Sequence, residues 1–400
     1  MLDAYIYDGL RTPFGRHAGS LAAVRPDDLV ATVMRELVAR SPFRPEQIED
    51  VILGCTAQSG EDSRNVARNA LLVAGLPPSV PGQTVNRLCG SGLAAVLDTA
   101  RAISCGEGEL YIAGGVESMS RAPFVVAKAE SAYSRDFKVY DSTIGARFPN
   151  RKMTEQYGAH SMPETGDNVA AEFGISREQA DRFAAASQAK YAAAKAAGFY
   201  AAEILPISVP TGRKTPPRVV AEDEHPRAES TYESLAKLKP LFEGGVVTAG
   251  NASGINDGAA AVLVGNAAVG DRAGAKPIAR ILAGAAAGVE PRIMGVGPAY
   301  AIPKALERAG LTLADMDIIE INEAFATQML GCLKLLDVAF DDPRVNPNGG
   351  AIAIGHPLGA SGARLALSVA RELQRRQGRY AVVSLCIGVG QGIALVLERT

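Results

Sequence analysis

The chain has 400 residues, 47% of them hydrophobic and 21% charged, the balance of a folded protein with a sizeable core rather than a disordered or fibrous one. Lysine and arginine total 41 against 43 acidic residues, which excludes bulk electrostatics as a means of holding nucleic acid or an anionic membrane. Any anionic ligand must be held by local groups, and Asn, Asp and Gly interrupt every apolar stretch before the roughly 20 residues of a membrane span.

The opening residues MLDAYIYDGLRTPFGR pass directly into an alternating strand pattern with no charged-then-apolar leader, so a cytoplasmic protein is expected. To about Ser120 strands alternate with amphipathic helices: AYIYD, PDDLVATVMRELVAR, DVILGCT, SRNVARNALLVAG, TVNRLC with the helix after it, and LYIAGG. From about Arg121 to Gly245 the composition shifts toward Ser, Tyr, Pro, Arg and Lys. The only long helical pattern there is REQADRFAAASQAKYAAAKAAG, opened by Ser176 as an N-cap with Gln179 in the capping-box position. This segment reads as an insertion that forms a lid. From about Lys276 the α/β order returns with PIARILAG, AIPKALERAG, DIIEIN, FATQMLGCLKLL, GAIAIGH, GARLALSVARELQRR, YAVVSLCIG and GIALVLER, in which GAIAIGH and YAVVSL read as strands.

The two ends look like a duplication. EQIEDVILG resembles ADMDIIEIN, and the interval from Gly54 to Cys89, 35 residues, nearly equals that from Asn322 to His356, 34 residues. The expected division is therefore an N-terminal half over 1–120 completed by 246–272, an inserted loop domain over 121–245, and a C-terminal half over 273–400. Equivalent strand-to-helix turns carry Cys89 and His356.

The five cysteines, Cys55, Cys89, Cys105, Cys332 and Cys386, are widely spaced and include no C-x-x-C pair, which argues for reduced thiols rather than a disulfide framework or a zinc ribbon. Cys55, Cys105 and Cys332 fit small buried hydrophobes. Cys89 stands apart in VNRLCGSGLAAV, at a helix start where Gly90 and Gly92 permit a tight turn and the helix N-terminus is expected to lower the thiol pKa. His356, between Gly355 and Pro357, is the duplication's counterpart of that turn, so a fold that pairs its halves could bring base and nucleophile together. Asn322 and Glu323 in INEAFA end an apolar strand, where polar groups either cap a helix or face a site; both readings stay open. Cys386 precedes IGVGQG, whose Gly388, Gly390 and Gly392 allow close backbone approach. The sequence shows no metal-ligand spacing, no dinucleotide or Walker-type glycine loop and no G-x-S-x-G elbow.

In order along essentially the whole chain, VNRLCGSGLAAV, GGVESMSRAP, VTAGNASGINDGAAA, INEAFA, NPNGGAIAIGHPLGASGAR and CIGVGQG resemble the thiolase family. The resemblance implies an α/β thiolase fold, a duplicated five-layer α-β-α-β-α arrangement with an inserted loop domain, and a homotetramer. It implies an acyl-CoA acyltransferase with no tightly bound cofactor and no metal, using coenzyme A and 3-ketoacyl-CoA as substrates. Carried over by motif, Cys89 is the acylated nucleophile, His356 its base and Cys386 the acid/base on the acetyl carbon. His356 and a water held by Asn322 would stabilise the enolate, and the N–H groups of Cys89 and Gly388 would form a second oxyanion hole. Implied CoA contacts are Arg227, Ser234, Phe242, Ala249, Ser253, Met162 and Met294.

Within the family, GEDSRNVARNALLVAGLP, GGVESMSRAPFV, TIGARF and SMPETGDNVA are most similar to thiolases acting on 3-oxoadipyl-CoA in aromatic-compound degradation, which implies succinyl-CoA and acetyl-CoA as products. TIGARF departs from that pattern with Ala146 where a tryptophan is expected. Arg151 and Lys152 are candidates for receiving the distal carboxylate. The alternatives are a short-chain acetoacetyl-CoA thiolase, a ketoacyl-type condensing synthase and a non-catalytic carrier on the same fold.

Overall fold

The computed structural model describes residues 2–212 and 214–400. The first half runs β1 (Ala4–Arg11), β2 (Gly15–Arg16), α1 (Pro26–Arg40), β3 (Asp50–Gly54), α2 (Val66–Val73), β4 (Gly82–Val85), α3 (Ser91–Ser104) and β5 (Leu110–Ser118). The insertion holds the hairpin β6 (Phe124–Val126) and β7 (Val139–Asp141), helices α4 (Arg151–Tyr157), α5 (Met162–Phe173) and α6 (Arg177–Ala196), the hairpin β8 (Ile207–Val209) and β9 (Arg218–Val220), and α7 (Tyr232–Leu235). The chain then returns through β10 (Asn256–Gly265) and α8 (Ala267–Ala273). The second half follows as β11 (Ala279–Gly288), α9 (Gly297–Ala309), β12 (Ile318–Ile321), α10 (Ala326–Leu335), α11 (Ala351–Ile354), α12 (Leu358–Arg376), β13 (Tyr380–Ile387) and β14 (Gln391–Arg399).

The strands join in one sheet with the order β12-β13-β14-β11-β1-β10-β5-β3-β4. Its two arms repeat one plan: β1-β10-β5-β3-β4 on one side and β11-β14-β13-β12 on the other, where a parallel bridge from Ile319 to Val345 takes the place of β4. The arms meet through the antiparallel register Ala4↔Ile281, Tyr5↔Arg280 and Ile6↔Ala279. The helices repeat as well, since α1, α2 and α3 follow β1, β3 and β4 as α9, α10 and α12 follow β11, β12 and the Val345 segment. The duplication legible in the spacing is thus present in strand order.

Helices α3 and α12 pack on each other and touch strands of both arms, while α1 and α9 cover the outer faces. This gives the five layers. Three apolar clusters fill the spaces between them: one around Leu93, Leu97, Leu365 and Leu395 at the centre, one around Leu29, Met34, Leu53 and Leu71 under α1 and α2, and one around Ile302, Ile319, Met329 and Val382 under α9 and α10. Burial of each such side chain is worth about 1.5–3 kcal/mol. The central strands are apolar on both sides, as strands covered by helices on both faces must be.

The insertion is more helical than its composition suggested, because α4, α5 and α7 accompany the expected α6. Ser176 does cap α6, accepting from the N–H of Gln179 while the Gln179 side chain accepts from Ser176 N–H. Buried polar ties hold this helix down: Ser187 donates to Glu323 at 2.6 Å, and Tyr191 donates to Asp223, which also pairs with buried Arg11 at 2.6 Å. Two strand expectations fail. Residues Ala351–Ile354 of GAIAIGH form the helical turn α11, whose opening N–H groups go to Ser187 and Glu323 side chains rather than to a neighbouring strand; Cys386 lies inside β13, paired with Gly392, rather than after its end.

Candidate active site

Cys89 sits between β4 and α3. The turn's strain falls on Leu88, a non-glycine residue at φ 46°, rather than on Gly90, whose φ is −88°. Gly92 is needed for a different reason than turning: a Cβ there would stand 2.5 Å from the Gly359 carbonyl oxygen, so it is what lets α3 and α12 cross closely. Ser91 locks the turn, accepting from Arg87 N–H at 2.8 Å and donating to Leu88 C=O at 2.6 Å.

The expected depression of the Cys89 pKa is not observed. Burial pushes the thiol up to about 11, outweighing the N–H groups of Gly388 and of Cys89 itself, which point at the sulfur and pull the other way; the carboxylate of Glu117 raises it further. The helix N-terminus supplies too little to offset desolvation.

His356 is 4% exposed. Its backbone N–H donates to Asn256 Oδ1 at 2.9 Å, an approach that requires glycine at 355, where φ is +104° and a Cβ would strike the Asn256 side chain at 2.6 Å. Ser361 donates its hydroxyl proton to Pro357 C=O at 2.9 Å, so the lone pair it turns to His356 Nδ1 at 2.6 Å accepts the ring proton. Nε2 is left with its lone pair, facing the Asn322 side-chain N–H at 3.3 Å. Burial pushes this imidazole down to about 3, and the positive Arg364 acts in the same direction. It is therefore a neutral ring with its basic nitrogen fixed.

Asn322 and Glu323, left open by the sequence, divide the two roles. Asn322 faces His356, and its Oδ1 is buried with no hydrogen-bond partner among the described residues. Glu323 turns away to accept from Ser187, Asn346 Nδ2 at 2.9 Å and Ile352 N–H at 3.2 Å, tying α6 to α11 and the segment before it.

Cys386 is buried in an apolar pocket with Met294, Val247, Ala252, Ala324 and Phe325, against which Met162 packs. Burial raises its thiol well above the usual range, and the neighbouring Cys89 and Cys332 raise it further. A thiol so placed stays protonated and, once deprotonated, is a strong base. Ser253 joins the same region, its N–H donating to Ala324 C=O at 2.9 Å. Met162, Met294 and Ser253 thus gather around the cysteines. Arg227, Ser234, Phe242 and Ala249 are exposed instead; Leu235 and Leu238 close over Gly250, which brings the Ser234 and Ala249 stretches together, and Arg227 N–H donates to Gln188 on α6.

Of the remaining cysteines, Cys55 and Cys332 are buried as expected, whereas Cys105 is exposed because it ends α3 at the surface. Glu117 had no sequence signal. Buried near Cys89, it accepts from Thr56 N–H and Oγ, Ala57 N–H and Gly359 N–H, stapling the loop after β3 to the start of α12. Its oxygens are spent on these donors although Cys55 and Asp62 lie close enough to complete a set of metal-type ligand atoms within 4.8 Å. Ser361 and Asn256 were also missed, since a hydroxyl five residues from a histidine and an asparagine a hundred residues away carry no local pattern.

Two neighbouring thiols, two N–H groups on the Cys89 sulfur, and a neutral imidazole paired with a carboxamide at the start of the helix that crosses α3 are groups that can form and break a thioester and move a proton at carbon. Residues 4–268 match the model of the thiolase N-terminal domain and residues 275–399 that of the thiolase C-terminal domain. The 3-oxoadipyl-CoA/3-oxo-5,6-dehydrosuberyl-CoA thiolase of Escherichia coli (strain K12) is 57% identical, with 100% of both chains covered, and a beta-ketoadipyl-CoA thiolase of Acinetobacter baylyi is also 57% identical over 100% of both. Among solved structures, the acetyl-CoA acetyltransferase of Bacillus anthracis superposes with a TM-score of 0.93 at 38% identity, covering 100% of this chain and 99% of that one. The chain belongs to the thiolase family of acyltransferases.

Proposed function

We propose that the protein cleaves 3-oxoadipyl-CoA with coenzyme A to succinyl-CoA and acetyl-CoA through a thioester on Cys89, in the degradation of aromatic compounds. The observation that carries the chemistry is the buried Asn322–His356–Ser361 chain, which holds the imidazole neutral with its unprotonated nitrogen toward Asn322. The acyl group is supported by the names of full-length relatives at 57% identity.

In this reading His356 Nε2 takes the Cys89 proton as the sulfur attacks the 3-keto carbonyl. The thiol's raised pKa and the imidazole's lowered one keep both neutral until substrate arrives. The oxyanion is met by the N–H groups of Cys89 and Gly388. When the C2–C3 bond breaks, its electron pair passes to C2 of the departing acetyl-CoA, whose enolate oxygen is met by His356 and by a water held at Asn322 Oδ1. Cys386 supplies the proton to C2. The CoA thiol then attacks the succinyl thioester and gives its proton to Cys386, while the Cys89 sulfur leaves and takes back its proton from His356. Coenzyme A is a substrate here, with no tightly bound cofactor, and we assign its contacts to Arg227, Ser234, Phe242, Ala249, Ser253, Met162 and Met294.

The same proposal includes the division into 1–120 with 246–272, 121–245 and 273–400, a reducing cytoplasmic setting in keeping with free cysteines, and a homotetramer. The half-exposed edge strand β4 and the hairpin β6–β7, with Phe124 73% and Phe137 74% exposed, are surfaces such an assembly would cover. No helix among the described residues is long and apolar enough to cross a membrane.

Brief exposure to 3-oxoadipyl-CoA followed by mass spectrometry is expected to show a succinyl adduct on Cys89, with kcat/KM higher than on acetoacetyl-CoA. Preference for acetoacetyl-CoA would assign the protein to the short-chain alternative, and an unmodified Cys89 without turnover to a carrier.

A further inference from the structure

The distal carboxylate of a dicarboxylyl substrate needs a cation at the far end of the acyl site, and the insertion offers several. Arg151, a candidate from the sequence, is 91% exposed and committed to Glu155 of its own helix at 2.6 Å. Arg121 is committed to Glu61. Arg147 differs from both. It is half-buried, and Nη2 donates to Ala57 C=O at 2.9 Å and to Ser59 Oγ at 3.2 Å. Its Nε and Nη1 have no hydrogen-bond partner and its guanidinium no carboxylate partner among the described residues.

The loop that Arg147 grips belongs to the surroundings of Cys89. Ala57 gives its N–H to Glu117 at 2.9 Å and its C=O to Arg147, so the loop is held between the carboxylate whose charge reaches Cys89 and the Arg147 guanidinium. Thr56 C=O accepts from Asn86 Nδ2 at 3.3 Å, and Asn86 lies in the turn that leads into Cys89. Two neutral acceptors on Nη2 orient the guanidinium without cancelling its charge, which leaves separate N–H donors at Nε and at Nη1 for an anion.

We propose that Arg147 is the specificity-determining residue that receives the distal carboxylate of the acyl group, an assignment that rests on the dicarboxylyl reading above. A neutral tail of the same length gains nothing from this contact, so Arg147 separates 3-oxoadipyl-CoA from 3-oxohexanoyl-CoA.

The test measures kcat/KM of the wild type, Arg147→Gln and Arg147→Lys on these two substrates. Loss of a charge-assisted hydrogen bond predicts a fall of about tenfold to a hundredfold for Arg147→Gln on 3-oxoadipyl-CoA, mostly in KM, with 3-oxohexanoyl-CoA within about twofold and partial recovery in Arg147→Lys. A wild type that prefers 3-oxoadipyl-CoA, with an Arg147→Gln variant that loses equally on both substrates or on neither, overturns the inference and leaves the proposed function standing. Equal loss would mark Arg147 as a structural clamp on the Ala57 loop. A wild type with no preference for the carboxylate overturns the dicarboxylyl reading itself.

Discussion

Asn322 directs its side-chain N–H to Nε2 of His356 at 3.3 Å, while the carboxamide oxygen of the same side chain is buried with no protein donor among the described residues. One amide thus fixes the imidazole and leaves an acceptor that a water can satisfy; in the proposed mechanism that water is the donor to the enolate. Replacing Asn322 with Ala is expected to lower kcat by about 10²–10³-fold with KM nearly unchanged, by analogy with loss of one oxyanion donor. Steady-state thiolysis decides it: a change confined to KM would remove Asn322 from the charged step.

Ser361 acts through His356 and is a positioning residue. Ser361→Ala removes the acceptor at Nδ1, so the ring should sample both tautomers and kcat should fall by about fivefold to tenfold, the worth of one ordinary hydrogen bond. Ring-nitrogen NMR shifts provide the readout that loss of packing alone would not move. Protonated Nδ1 is expected in the wild type, and an unchanged tautomer in the variant would refute the role.

Stability should decline on mild acidification. The folded His356 sits near 3 against an ordinary 6.5, so between these values the unfolded chain binds a proton that the folded one does not. Its contribution is complete above pH 6.5 and is lost as pH falls toward 3, at up to about 1.4 kcal/mol per pH unit. His225, lowered to about 4, adds in the same sense. Urea unfolding at several pH values should give a shallower dependence for His356→Asn than for the wild type; parallel curves would count against it.

Gly92→Ala forces a methyl to within 2.5 Å of the Gly359 carbonyl, backbone against backbone. Overpacking of this kind costs about 1–3 kcal/mol. A lower melting temperature is expected together with lost activity, because the same crossing sets Cys89 against the α12 start. A melting temperature equal to the wild type would show that the helices separate freely.

Much of this was legible because it depended on local pattern. The extent of α1, the Ser176 cap and the near-equal intervals leading to Cys89 and His356 are written in periodicity, spacing and short-range hydrogen bonds. The misses share a different cause. GAIAIGH has the composition of a strand, yet the N–H groups that open its helical turn are taken by the Ser187 and Glu323 side chains from elsewhere in the fold. The Cys89 thiol lies higher than its helix start suggests because that start is visible in sequence while the desolvation of the sulfur is set by the fold. Glu117, Asn256 and Ser361 matter through partners that the fold alone brings near, so nothing in their own neighbourhoods set them apart.

The antiparallel seam between β1 and β11 has a consequence for how the protein is made. The ribosome releases the nucleophilic thiol with the first arm, whereas the histidine, the asparagine and the second thiol emerge with the last part of the second. Until the arms join, Cys89 has neither the base that the proposed mechanism assigns to it nor the Gly388 N–H, so the nascent chain should be inert toward acyl thioesters in the cell. A chain released at the end of α8, which holds the first arm without the second, is expected to carry no acyl group on Cys89, and an adduct there would show that the first arm is reactive by itself.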